Sequence, residues 1–102
     1  GQSLIMQEGK VIGIEAIEGT DELINRSSKY LKKKKEQAIL VKLIKNKQDL
    51  RVDLPTIGIK TINNCVKSHI KGIIYSADKT IFINKTKILE ISDNNNIILY
   101  GI

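Results

Sequence analysis

Apolar residues in this chain come in short runs whose spacing alternates between strand-like and helix-like periods. Leu4-Ile5-Met6 and Val11-Ile12-Gly13-Ile14 read as strands on either side of Gln7-Glu8-Gly9-Lys10, a hairpin turn. Glu15-Ala16-Ile17-Glu18-Gly19 leaves the second strand. Thr20 is then placed to cap a helix running to about Leu31, with Asp21 and Glu22 favourable in its first turn. Leu23, Ile24, Ser27, Tyr30 and Leu31 fall near one face of that helix. Ala38 to Ile44 reads as a strand interrupted by a single charge, Lys42.

In Gln48-Asp49-Leu50-Arg51-Val52-Asp53-Leu54-Pro55-Thr56-Ile57-Gly58, an extended backbone over residues 49–54 sends side chains alternately to two faces. Leu50, Val52 and Leu54 share one face; Asp49, Arg51 and Asp53 share the other. Ile59 to Ile70 has helical spacing, with Gly72 as its stop. Ile73-Ile74-Tyr75 and Thr80-Ile81-Phe82-Ile83 read as a strand pair about an Asp78-Lys79 turn. Asn84 is placed to cap a third helix that contains Ile88, Leu89 and Ile91. Ile97 to Tyr100 forms a last strand. The order β-β-α-β-(β)-α-β-β-α-β predicts an α/β fold: a mixed sheet with helices packed on its faces in three layers, as one domain over residues 1–102.

Composition narrows the function classes. The 102 residues suffice for one compact core, and 41% hydrophobic content suits a folded protein. A net charge of +6 allows an acidic partner. Aromatic residues make up only 4%, too few for a base-stacking platform, and nucleic-acid binding is not expected. Lys32-Lys33-Lys34-Lys35 reads as a solvated basic loop. With Cys65 alone there is no disulfide framework, and no apolar run approaches membrane-spanning length, so a cytoplasmic location is expected. His69 has no partner at ligand spacing and reads as a helix-surface residue.

Two acidic clusters bear on chemistry. Glu15, Glu18 and Asp21 pass from a strand end through Gly19-Thr20 into a helix N-terminus, where free backbone N–H groups favour an anion. Carboxylates beside a phosphate require a divalent cation between them, as Mg²⁺ is commonly held. Asp49 and Asp53 flank Arg51, which is suited to a bidentate phosphate contact, with Lys42, Lys45 and Gln48 nearby. Lys42 fits an edge-facing lysine and a site lysine equally well on pattern. Together the clusters describe a metal-assisted phosphoryl site. There is no Walker-type loop, zinc spacing or Ser/His/Asp arrangement.

Val11-Ile12-Gly13-Ile14-Glu15-Ala16-Ile17-Glu18-Gly19-Thr20-Asp21 resembles the V-E-A-x-E-G-T-D signature of the LpxI-type UDP-2,3-diacylglucosamine pyrophosphatases of lipid A synthesis. Lys42-Leu43-Ile44-Lys45, then Gln48 to Gly58 and Thr61, resembles their K-x-x-K-x-x-Q-D-x-R-x-D-x-P-x-x-G-x-x-T signature, and the resemblance spans the chain. It implies Mg²⁺-dependent hydrolysis (with Mn²⁺ as the alternative ion) of UDP-2,3-diacylglucosamine to UMP and 2,3-diacylglucosamine 1-phosphate (lipid X). It also implies a C-terminal catalytic half whose partner is an N-terminal domain, lipid bound between them, and peripheral contact with the inner membrane. By the same resemblance Asp53 is the first choice for the essential carboxylate, with Asp49 and Arg51 in the catalytic group. Glu15, Glu18, Asp21 and Asp53 are the metal candidates. Lys42, Lys45, Gln48, Thr20, Thr56 and Gly58 face the substrate. The alternative reading is a non-catalytic basic domain that binds an acidic lipid, nucleotide or partner protein; metal-dependent release of UMP separates the two.

Overall fold

The computed structural model describes residues 2–32, 36–44 and 54–102. Strands β1 (Gln2–Gln7) and β2 (Lys10–Ile14) form the expected hairpin. Its turn is possible because Glu8 (φ 55°) and Gly9 (φ 71°) both adopt left-handed backbone, the geometry that matches strand twist in a two-residue loop. Helix α1 (Thr20–Ser27) continues as a short 3-10 turn over Ser28–Tyr30. Next come β3 (Ala38–Leu43), β4 (Thr56–Ile57), α2 (Ile59–Lys67), β5 (Ile70–Tyr75), β6 (Ile81–Phe82), α3 (Lys85–Asn94) and β7 (Ile98–Gly101). The main sheet has the order β2-β1-β3-β5-β7, antiparallel across β2, β1 and β3 and parallel from β3 to β7. Element order and a mixed sheet are as the sequence predicts.

Register assigns the two faces. Gly13, Ile5, Leu40, Ile73 and Leu99 lie side by side across the strands. This row meets the helices, and Ile5, Leu40 and Ile73 are fully buried with Leu23 and Ile24 of α1, Ile62 and Cys65 of α2, and Ile88 of α3. The adjacent row, Ile14, Leu4, Val41, Ile74 and Tyr100, points the other way. Its ends remain open, with Ile14 56% and Tyr100 60% exposed. Helix α1 packs on α2, and α2 on α3, so the three share one side of the sheet. The α/β fold is as predicted, but among the described residues the helices lie on one face of the sheet only, and the expected third layer is not found there. Apolar residues on both faces of a strand announce that both are to be covered, but not by what.

Two local expectations are corrected, and a third falls mostly outside the described residues. The Ile73–Tyr75 and Thr80–Ile83 segments do not pair with each other. β5 lies between β3 and β7, whereas β6 pairs in parallel with β4 as a separate two-stranded ribbon. Helix α2 ends at Lys67 rather than Ile70, and the reversal falls on His69 (φ 61°). Gly72 is thus not the helix stop but a strand residue beside Ile39 and Ile98. The extended segment expected over 49–54 lies, through residue 53, outside the described residues; the described strand is Thr56–Ile57.

Gly13 sets how closely α1 approaches the sheet. A Cβ there would lie 2.5 Å from Ser27 Oγ and 2.9 Å from Leu23 Cδ1. Because both neighbours are buried, Gly13→Ala must push the helix outward. It is expected to cost about 1–3 kcal/mol, read as a lower urea midpoint; an unchanged midpoint would remove this contact from the account.

Candidate active site at the carboxyl end of the sheet

Parallel strands with helical crossovers place their carboxyl ends beside the N-termini of the following helices, the usual position for ligands in such sheets. Here the end of β3, the start of β1 and the exit of β2 converge on the first turn of α1. Lys42 sits on the helix-facing side of β3, the central strand, and only 8% of it is exposed. The edge-lysine alternative is excluded by that position. Its Nζ donates to Thr20 Oγ1 at 2.7 Å. The Thr20 hydroxyl lies 2.7 Å from Glu15 Oε1, to which it donates, and 3.0 Å from Ser3 Oγ. A hydroxyl has one proton and two acceptor positions. With its proton given to Glu15, it accepts from both Lys42 and Ser3 and is fully satisfied.

This network corrects the capping expectation. Thr20 is not the N-cap of α1; Gly19 is, with φ 90° and ψ 172° and no side-chain cap. That backbone region is essentially closed to residues with a Cβ, so glycine is required and the Thr20 hydroxyl is released to Lys42 and Glu15. Asp21, next in line, turns toward α2. Its Oδ1 accepts from Thr61 Oγ1 and Asn64 Nδ2, both at 3.1 Å, and so ties the two helix N-termini together.

Helix α2 likewise starts on a glycine with no side-chain cap, Gly58. Its backbone (φ −116°, ψ 179°) is ordinary extended conformation that any residue adopts. At both Gly19 and Gly58 a Cβ would meet nothing within 4 Å. The cap positions of two adjacent helices therefore present bare backbone toward open space, with N–H groups that no side chain of the described residues caps. Helix N-termini of this kind favour anions.

Burial holds the Lys42 ammonium below its ordinary pKa of 10.5, and the carboxylates of Glu15 and Asp21 oppose that shift. Glu15 and Asp21 each have one oxygen engaged by the contacts above. This leaves to each a second oxygen with no partner among the described residues, which fits the one-or-two-carboxylate holding of Mg²⁺. No three His, Cys, Asp or Glu side chains among the described residues are grouped to hold a metal on their own.

Glu18 is not brought to this cluster. Its Oε1 takes the Arg26 guanidinium at 2.7 Å, and its Oε2 accepts the Ala16 N–H at 3.1 Å. Its own backbone N–H first, and Arg26 second, hold its pKa below the ordinary carboxylate value. Arg26 also donates to the Ile14 carbonyl, so Glu18 pins the 15–19 turn onto α1. Thr56 is exposed on β4, its hydroxyl donating to the Leu54 carbonyl at 3.2 Å. Lys45, Gln48, Asp49, Arg51 and Asp53 lie outside the described residues, between Ile44 and Leu54.

Ser3 and Asn64 carry contacts that motif spacing assigns to neither. Their partners lie 17 and 43 residues away, beyond any local pattern. Cys65 is buried, and desolvation first, then the Asp21 carboxylate, pushes its thiol up to about 12, which makes it a poor nucleophile. His69 is exposed beyond the far end of α2. Replacing the central hydroxyl by a methyl, Thr20→Val, leaves a buried ammonium and Ser3 without their shared acceptor. It should cost about 1–3 kcal/mol, more than Thr20→Ser, in urea unfolding; equal midpoints for the two variants would deny the hydroxyl its central role.

Residues 1–100 match the family described as the LpxI C-terminal domain. A protein of Caulobacter vibrioides, "UDP-2,3-diacylglucosamine pyrophosphatase LpxI", is 30% identical over 107 aligned residues. That similarity covers 100% of this chain and 38% of the relative, so the chain spans less than two-fifths of that protein's length. With the match running through the Glu15–Asp21 segment, Lys42 and both glycine-capped helix starts, this chain belongs to the LpxI C-terminal domain family.

Proposed function

We propose that this domain carries the hydrolytic chemistry of a UDP-2,3-diacylglucosamine pyrophosphatase. The observation that supports this most is the buried Lys42 ammonium beside Glu15 and Asp21, at the foot of two adjacent helix N-termini fronted by glycine. A pyrophosphate bridge brings concentrated negative charge and needs donors placed before it arrives. Backbone N–H groups past Gly19 and Gly58 supply donors that cost no reorganisation, and Gly58 leaves room for a ligand where the protein itself needs none.

Glu15 and Asp21 would hold Mg²⁺ through their outer oxygens, and the ion would neutralise charge on the bridging phosphates. Thr20 keeps the Lys42 ammonium aimed at this place, and Asn64 and Thr61 keep Asp21 from rotating away. Asp53 and Asp49, assigned by resemblance, orient water and accept its proton, while Arg51 and Lys45 take the remaining phosphate charge. Water oxygen bonds to one phosphorus as the P–O–P bridge breaks. UMP leaves on one side and 2,3-diacylglucosamine 1-phosphate on the other.

The test is UMP release from UDP-2,3-diacylglucosamine, with and without Mg²⁺. The enzyme is this chain joined behind the part of the Caulobacter relative that it does not span. Release should require the ion, vanish in Asp53→Asn, and fall about a hundredfold or more in Lys42→Met. Because the Lys42 pKa is depressed, the ammonium is present at low pH and loses its proton as pH rises, before 10.5 is reached, and activity should fall on that alkaline limb. Lys42→Arg, charged throughout, should move that limb upward. Full activity in Lys42→Met would sink the reading.

A further inference from the structure

The bare face of the sheet is the feature the proposed chemistry leaves unused. Its central row, Ile14, Leu4, Val41, Ile74 and Tyr100, has no charged side chain. Ile98, 70% exposed, extends the apolar surface. Gly72, lacking a side chain beside Ile39, leaves a groove of about 570 Å³ on this face. The charged residue at the groove, Lys71, turns its ammonium to the Asn95 carbonyl at 3.0 Å. A sheet that faces water on one side alternates apolar with polar positions, whereas parallel strands such as β3, β5 and β7 are normally covered on both faces. An apolar groove flanked by exposed Ile98 and Tyr100 on a half-exposed apolar row marks a contact.

We propose that this face seats the polypeptide that precedes the domain in longer family members, as an apolar layer completing an α/β/α arrangement. The matched family is a C-terminal domain, and 38% of the Caulobacter relative is accounted for, so most of such a protein lies ahead of β1. β1 is an interior strand, between β2 and β3, and its start lies at the carboxyl end of β3 beside Leu43. A segment arriving there meets one side of the sheet layered by α1, α2 and α3, and one side that no described residue layers. The inference rests on family membership and stands whether or not the hydrolytic reading holds.

The experiment is thiol labelling, since the native Cys65 is fully buried. Tyr100→Cys is placed on the open face and Asn63→Cys on the exposed side of α2. Each is alkylated in this chain alone and in the chain joined behind the unspanned part of the Caulobacter relative, and the labelled peptide is quantified by mass spectrometry. A covered thiol reacts only on opening, so Tyr100→Cys should label at least about tenfold more slowly in the joined protein. Asn63→Cys should label equally in both. Equal labelling of Tyr100→Cys in the two proteins overturns the proposal, as does protection of Asn63→Cys in its place. Protection already present in the chain alone, with a dimer in sedimentation, assigns the face to a second copy and also overturns it.

Discussion

The contact on which the rest depends is the hydrogen bond from the Lys42 ammonium to the Thr20 hydroxyl. A charge that is almost wholly enclosed beside a central strand costs several kcal/mol unless its donors are met. Thr20 meets one directly, and Glu15 and Asp21 supply opposing charge without direct ion-pair contact. Satisfying Lys42 in this way demands that Thr20 be free of capping duty. Gly19 frees it, with a backbone conformation that only glycine adopts readily. The position of α1 follows, fixed from beneath by the absence of a side chain at Gly13 and from the side by the Asp21 clasp to α2. One buried cation thus determines a glycine, a hydroxyl and the relation of two helices.

A structure that only needed to fold would replace Lys42 by Leu or Met and bury it without expense in polar partners. A lysine there, which must be given polar partners to be buried, and a glycine at position 58, where backbone geometry and packing both admit alanine, are not what stability alone calls for. Both residues face the carboxyl end of the sheet. The proposed phosphate site rests on that convergence rather than on any single residue.

Much of this was legible in the chain. The β1–β2 turn follows from Glu8-Gly9 between apolar runs, and the element order from the changing period. Lys42 stands out as the charge in a strand, although only the topology tells that its strand is central. Other features were hidden because the sequence rules that read them are local. Thr20 after glycine looks like a cap until residues 3, 15 and 42 arrive beside it. Gly72 looks like a helix stop, but His69 takes the left-handed position, which histidine tolerates better than most residues. The element order pointed to helices on both sheet faces; among the described residues they cover one. The Lys45–Asp53 assignments rest on resemblance, and these residues lie outside the described structure.

The account is tested most directly by the affinity for UDP in Mg²⁺ of the wild-type chain and of Gly58→Ala, measured by calorimetry alongside thermal melting. If the backbone at the start of α2 is approached by a phosphate, the added methyl should weaken binding about tenfold, roughly 1.4 kcal/mol, while the melting temperature holds or rises. Equal affinity in the two proteins, with the fold intact, would contradict a phosphate site at this end of the sheet.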